Sequence, residues 1–178
     1  MTAHDHSRSE LDAQAFVAVY GGVYEHSPWV AQSVVARGLT PEDDDPSTLA
    51  QRMAVIVEAS GYDRQLELLR LHPELANKTK VGEELTESSK REQSSARLDQ
   101  CRPEEFAKFQ TLNEAYRAKF GFPFIIAVTG LTRAEILAAF EMRLEHSKEA
   151  EFRTALDQVH KIAQIRIEAI ARVPTPGA

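Results

Sequence analysis

Three clusters in this chain combine residue types that could do chemistry: His72-Pro73-Glu74-Leu75-Ala76, Ser89-Lys90-Arg91-Glu92-Gln93 and Lys119-Phe120-Gly121-Phe122-Pro123-Phe124-Ile125. They offer an imidazole that can act as a general acid or base, a carboxylate to partner it, and an apolar stretch to wall a pocket. Cofactor-free chemistry on a small molecule needs those three things. His72 stands immediately before a proline, where the chain must leave helical geometry. Partial negative charge at a helix C-terminus favours the protonated ring and keeps it available as an acid near neutral pH. A histidine that merely caps the last carbonyls would look the same.

Glu92 falls on a helical face made of positions 85, 89, 92, 96 and 99, which read Leu, Ser, Glu, Ala and Asp. Ser89 lies three residues before Glu92 and four before Gln93, so the three side chains project together. Such a face is either fully solvated or polar because something polar binds there. Arg166 interrupts a different pattern. Phe152, Leu156, Val159, Ala163, Arg166 and Ile170 follow the spacing of a core-facing stripe, and a guanidinium in that place needs an anion. An internal ion pair, snorkelling to the surface, and a bound carboxylate or urea-like oxygen all remain open. In the Phe120–Val128 stretch, Gly121 and Pro123 impose irregular backbone whose peptide groups a ligand could bond.

The elements that must position these residues are helical. Leu11 to Tyr20 is apolar at helical spacing and stops at Gly21-Gly22. Ser27-Pro28 and Asp45-Pro46 each supply an N-cap followed by proline at the first helical position, and Gly38 and Gly61 close those helices. A short helix from Tyr62 to Leu71 halts at Pro73, and another spans Thr86 to Cys101. Pro103 opens a helix with Phe106, Phe109, Tyr116 and Phe120 on one broad side. Thr132-Arg133-Ala134-Glu135 matches a capping box, and Ser147 caps a last long helix to about Ala171. Alternating strand patterns are nearly absent. The expected fold is all-α, a single compact bundle of about eight helices over residues 11–172. Residues 1–10 and 173–178 are expected to be flexible tails, Glu42–Asp45 a solvated acidic loop, and Trp29 a core anchor.

Composition narrows the function. The 178 residues carry a formal net charge of -6, with no concentrated basic face, which argues against nucleic acid as partner. No run is long enough for a membrane span, and no apolar leader core or peroxisomal tripeptide is present. The single cysteine, Cys101, suits a reducing compartment and has no identifiable base partner, so the cytoplasm is the expected location. There is no zinc-binding histidine motif, no cysteine pair and no phosphate loop after a strand, so neither a metal nor a nucleotide cofactor is expected.

Taken with Tyr24-Glu25-His26-Ser27-Pro28-Trp29-Val30, these motifs resemble the OHCU decarboxylase family from about Phe16 to Arg172. That family acts on 2-oxo-4-hydroxy-4-carboxy-5-ureidoimidazoline in urate breakdown. The resemblance implies an all-α homodimer without cofactor that releases carbon dioxide and forms (S)-allantoin. It implies that His72 is the catalytic histidine and Glu92 its carboxylate partner. It implies substrate-binding roles for Pro73, Ser89, Gln93, Arg166 and the segment Phe124, Ile125, Ile126, Ala127 and Val128. The chain departs from the pattern at His146, where asparagine is expected. It also lacks the terminal Tyr-Arg-Gly-Ser of the hydrolase that precedes this step, so decarboxylation alone is expected. Two rival readings are a ligand-binding module without turnover and a structural bundle in which Glu92 and Arg166 pair with each other.

Overall fold

The computed structural model describes residues 7–76 and 86–173, so residues 1–6 and 174–178 of the expected tails, and Leu85, lie outside the described residues. Among the described residues there are eight α-helices and no strand. They are α1 (Ala13–Tyr20), α2 (Trp29–Ala36), α3 (Pro46–Glu58), α4 (Tyr62–Arg70), α5 (Glu87–Ser95), α6 (Pro103–Phe120), α7 (Arg133–Leu144) and α8 (Lys148–Ala171). The all-α expectation is met. Two compact units divide them: one draws on Met1–Leu68 and His160–Ala178, the other on Leu69–Val159. Residues 11–172, read from the sequence as one domain, are distributed over both.

Local chemistry explains most helix starts. The Asp45 carboxylate accepts the Thr48 N–H at 2.7 Å and Pro46 takes the first helical position of α3. At α7, Thr132 Oγ1 accepts the Glu135 N–H while the Glu135 carboxylate accepts the Thr132 N–H at 2.7 Å, a reciprocal capping box. Ser147 Oγ accepts the Ala150 N–H at 3.2 Å and starts α8. The α2 cap differs from expectation. Ser27 Oγ is buried without a hydrogen-bond partner, and Pro28 occupies the cap position with helical angles. Helix α5 also ends earlier than Cys101. Arg97 turns left-handed at φ 54°, and a short 3-10 turn, Leu98–Gln100, follows.

In the first unit Phe16, Val34, Leu49, Met53, Val57 and Ile167 form the dry core. Three sequence expectations need correction here. Trp29 is only half-buried, with the Arg64 guanidinium 4.2 Å over its ring. Asp43 is fully buried, not solvated. Its carboxylate accepts the Thr40 N–H at 2.8 Å and pairs with Arg52 nine residues on. Ser7 to Glu10, assigned to the N-terminal tail, hold a 3-10 turn, Arg8–Glu10, in place through Ser9 N–H and Ser7 Oγ bonds to the Asp44 carboxylate. In the second unit the core is aromatic. Phe124 stacks on Phe140 at 3.8 Å, and Tyr116 meets Phe122, Phe124 and Phe140 edge-on at 5.4 to 5.9 Å. No helix among the described residues is long and apolar enough to cross a membrane.

Candidate active site

His72 does not lie in the last turn of a helix, as the sequence suggested, but two residues beyond α4, in the turn that its N–H closes on the Leu69 carbonyl. Its side chain is half-buried. The segment that follows is held by neutral amides. Gln93 on α5 accepts the Ala76 N–H through Oε1 at 3.2 Å and donates Nε2 to the Glu74 carbonyl at 3.3 Å. From α6, Asn113 donates to the Leu75 carbonyl at 3.0 Å and Gln110 to the Ala76 carbonyl at 3.2 Å. Arg117 pairs with the Glu74 carboxylate. Ala76 has a left-handed φ of 52°, unfavourable for a residue with a Cβ, and is held there by bonds to both its N–H and its carbonyl. On the other side, Arg70 Nε donates to the Gly121 carbonyl at 3.1 Å. Gly121 itself closes α6 at φ 79°, a conformation that only glycine takes at no steric cost.

The α5 face is decided by burial. Ser89 and Ala96 are buried and Glu92 and Gln93 half-buried, so this is an inward polar face and not a solvated helix. Gln93 joins the first two sequence clusters physically, and it stands next to Glu92. Thr86 caps α5 by accepting the Ser89 N–H. His72, Pro73, Ser89, Glu92, Gln93 and Phe124 to Val128 all belong to the second unit.

Phe124, Ile125, Ala127 and Val128 are buried and Ile126 half-buried, in irregular backbone as Gly121 and Pro123 suggest. Two of the peptide groups expected to serve a ligand are bonded internally. The Ile125 carbonyl accepts Arg143 Nη1 at 2.7 Å, and the Ala127 N–H donates to Gln158 Oε1 at 3.0 Å. Those bonds set the register of the segment on both sides of Ile126.

Sequence reasoning missed the group that makes this possible. Arg143 is 3% exposed and lies over the Phe124 ring at 4.4 Å. Its Nε donates to Glu151 Oε1 at 2.8 Å, and Glu151 is completely buried. The same carboxylate accepts the Tyr116 hydroxyl and bonds His146 Nδ1 at 2.8 Å. Burial, reinforced by the bond to Glu151, holds the Tyr116 hydroxyl far above its usual titration range. The departure at His146 therefore places a ring on a buried carboxylate. Arg143 follows Phe140 by three residues, on the buried side of α7, so the apolar-stripe test that flagged Arg166 would have found it.

Arg166 belongs to the first unit. It is 5% exposed within the expected stripe, and an internal ion pair is present: Nη1 donates to Glu25 Oε2 at 2.7 Å and to the Val23 carbonyl at 3.2 Å. Glu25 is equally buried, at 3%. Beside it, the Tyr24 hydroxyl bonds His160 Nδ1 at 2.8 Å, and His160 Nε2 bonds Glu58 Oε1 at 2.8 Å. Burial raises the Tyr24 hydroxyl well above its normal range, so it remains a neutral phenol.

A cleft of about 430 Å³ opens beside the end of α5 and the start of α7, lined by Ser95, Arg97, Glu105, Thr132 and Arg133 among others. None of its lining residues is one of the sequence-derived site residues. Among the described residues no group of three or more His, Cys, Asp or Glu side chains is arranged to hold a metal ion.

The sequence model of the family described as OHCU decarboxylase matches residues 9–168. A 2-oxo-4-hydroxy-4-carboxy-5-ureidoimidazoline decarboxylase of Haloferax volcanii is 45% identical over 89% of this chain and 90% of its own length. The mouse protein of the same name is 33% identical over 89% of this chain and 88% of its own length. Among solved structures, an (S)-allantoin synthase superposes with a TM-score of 0.73 at 34% identity. The match covers 96% of this chain and 54% of that one, so the chain spans about half the length of that structure. An OHCU decarboxylase crystallised in the presence of (S)-allantoin shares the fold, with a TM-score of 0.67 at 21% identity over 92% of this chain and all of that one.

Proposed function

We propose that this chain, which belongs to the OHCU decarboxylase family, converts 2-oxo-4-hydroxy-4-carboxy-5-ureidoimidazoline to (S)-allantoin and carbon dioxide. The observation that carries the reading is the His72–Ala76 segment, bound to α5 through Gln93, within a chain matched to the family along residues 9–168. A half-buried imidazole and a half-buried carboxylate, on segments that Gln93 links, support the reading.

The substrate carries its own electron sink. When carbon dioxide leaves, the electron pair of the breaking bond passes to the adjacent carbon–nitrogen double bond, so the reaction asks for no cofactor. The hydroxyl on the reacting carbon loses a proton and becomes the carbonyl of allantoin, while the ring nitrogen of the former double bond gains a proton and the neighbouring carbon gains another on one face. His72 and Glu92 manage those transfers, each worth about 10²–10⁴-fold in rate when well positioned. Ser89, Gln93 and Pro73 hold the substrate beside them. Peptide groups of Phe124 to Val128 and the Arg166 guanidinium bond the ring and ureido group, while the apolar side chains of that segment offer the carboxylate no counter-ion.

The chain works as a homodimer in the cytoplasm on this reading, a location that its single cysteine suits. Sedimentation should then give twice the 19.9 kDa chain mass. The activity is tested by adding freshly generated substrate and following circular dichroism. Uncatalysed decay gives racemic allantoin, so a growing chiral signal is expected with the protein, and an optically silent product would contradict the proposal.

A further inference from the structure

The geometry points to Glu25 as a charge-compensating, positioning residue that keeps the Arg166 guanidinium electrically neutral toward substrate. Arg166 would then recognise an uncharged ureido or imide oxygen and give the leaving carboxylate no cation. This rests on the reading of Arg166 as a substrate contact. Three observations support it. The pair is buried at both ends, 5% and 3% exposed, and joined at 2.7 Å, so its charges cancel locally with little screening by water. The carboxylate cannot easily swing aside. The turn that bears it is held before Glu25 by the Arg166 bond to the Val23 carbonyl and by the Tyr24–His160–Glu58 relay, and after it by the Ser27 N–H on the Tyr24 carbonyl. His160 and Arg166 also share α8, so both ends of the brace rest on one helix.

The chemistry explains why such compensation would matter. An unpaired buried arginine binds a carboxylate through a strong charge-assisted bond. A decarboxylating substrate holds its full carboxylate charge only in the ground state, and that charge leaves the carboxyl group as the bond breaks. Tight pairing there would favour the ground state over the transition state and slow turnover. With Glu25 in place, a second carboxylate approaching Arg166 meets like charge, whereas a neutral carbonyl oxygen meets no such repulsion.

The test compares competitive inhibition by neutral (S)-allantoin and by hydantoate, a small ureido carboxylate. The ratio of the two inhibition constants should favour the neutral ligand in the native protein and shift toward the anion by about tenfold or more in Glu25→Gln. Glu25→Asp, which keeps the charge, should hold the native ratio. Arg166→Ala should weaken both ligands. If Arg166→Ala changes neither constant, the reading of Arg166 as a substrate contact fails. If it weakens both while Glu25→Gln leaves the ratio unchanged, the compensation inference alone is overturned. Should Glu25→Gln fail to fold, the native protein decides: chloride at roughly 0.5 M should leave the allantoin constant within about twofold, because a neutralised arginine has no anion vacancy. Competitive displacement of allantoin by chloride would overturn the inference.

Discussion

Two buried arginines, one in each unit, are paired with carboxylates in different settings. Arg143 is braced on three sides by groups of its own core: Glu151 on Nε, the Ile125 carbonyl on Nη1 and the Phe124 ring against its face. It joins α7 to α8 and sets the Phe124–Val128 segment in register. Arg166 reaches from α8 to a turn, where Glu25 and the Val23 carbonyl receive it. Burial of a charged residue on an apolar stripe therefore marks a constraint without saying which kind. The partner's setting distinguishes them: a carboxylate shared with a tyrosine and a histidine deep in a core, against a carboxylate on a braced turn.

Breaking each support should separate these roles. The largest effect on stability is expected for Arg143→Ala, which takes the guanidinium from the buried Glu151 carboxylate and should cost about 3–5 kcal/mol in chemical denaturation. An unchanged unfolding midpoint would remove the network from the fold's supports. Gln93→Leu leaves the Ala76 N–H and Glu74 carbonyl without their amide, and about 1–3 kcal/mol is expected, together with a fall in kcat as the His72 loop loosens. If kcat is unaffected, Gln93 is not what sets that loop. Thr132→Ala, at the start of α7, should cost about 1 kcal/mol through the lost cap and leave kinetics alone. A final contrast concerns pH. Tyr24 and Tyr116 both titrate above their ordinary range because burial disfavours the phenolate. The unfolded chain then loses protons first as pH rises, so stability should hold up to about pH 10 and fall above it. Tyr116→Phe should flatten that alkaline decline, and an undiminished slope would contradict the assignment.

Signals carried within a few residues were readable in advance. Asp45-Pro46, Thr132 with Glu135, and Ser147 all cap as their spacing requires, because a cap is closed by atoms three residues away. The aromatic side of α6 and the α8 stripe were readable for the same reason, since helical period alone determines which side is buried. What escaped depended on partners remote in the chain. Ser27 does not cap with its side chain, and the turn before it is held by Arg166, some 140 positions on. Asp43 is buried because Arg52 and Thr40 converge on it, so an acidic run was mistaken for surface. Helix α5 stops at Ser95 with neither glycine nor proline to mark the end, at the cost of a left-handed Arg97. In the candidate site, the sequence singles out residues with distinctive chemistry and passes over the groups that hold their segments. Gln110, Asn113 and Glu151 have ordinary side chains whose importance comes only from what they bond.

The most direct test of the central claim is the stereochemical course of product formation with His72→Asn beside the native chain, on freshly generated substrate. The variant keeps a polar side chain on the loop that Gln93, Asn113 and Gln110 secure, so the fold should persist. The account predicts that turnover to optically active allantoin falls by about 10²–10⁴-fold, leaving the racemic background to dominate. Chiral allantoin formed at close to the native rate would contradict it.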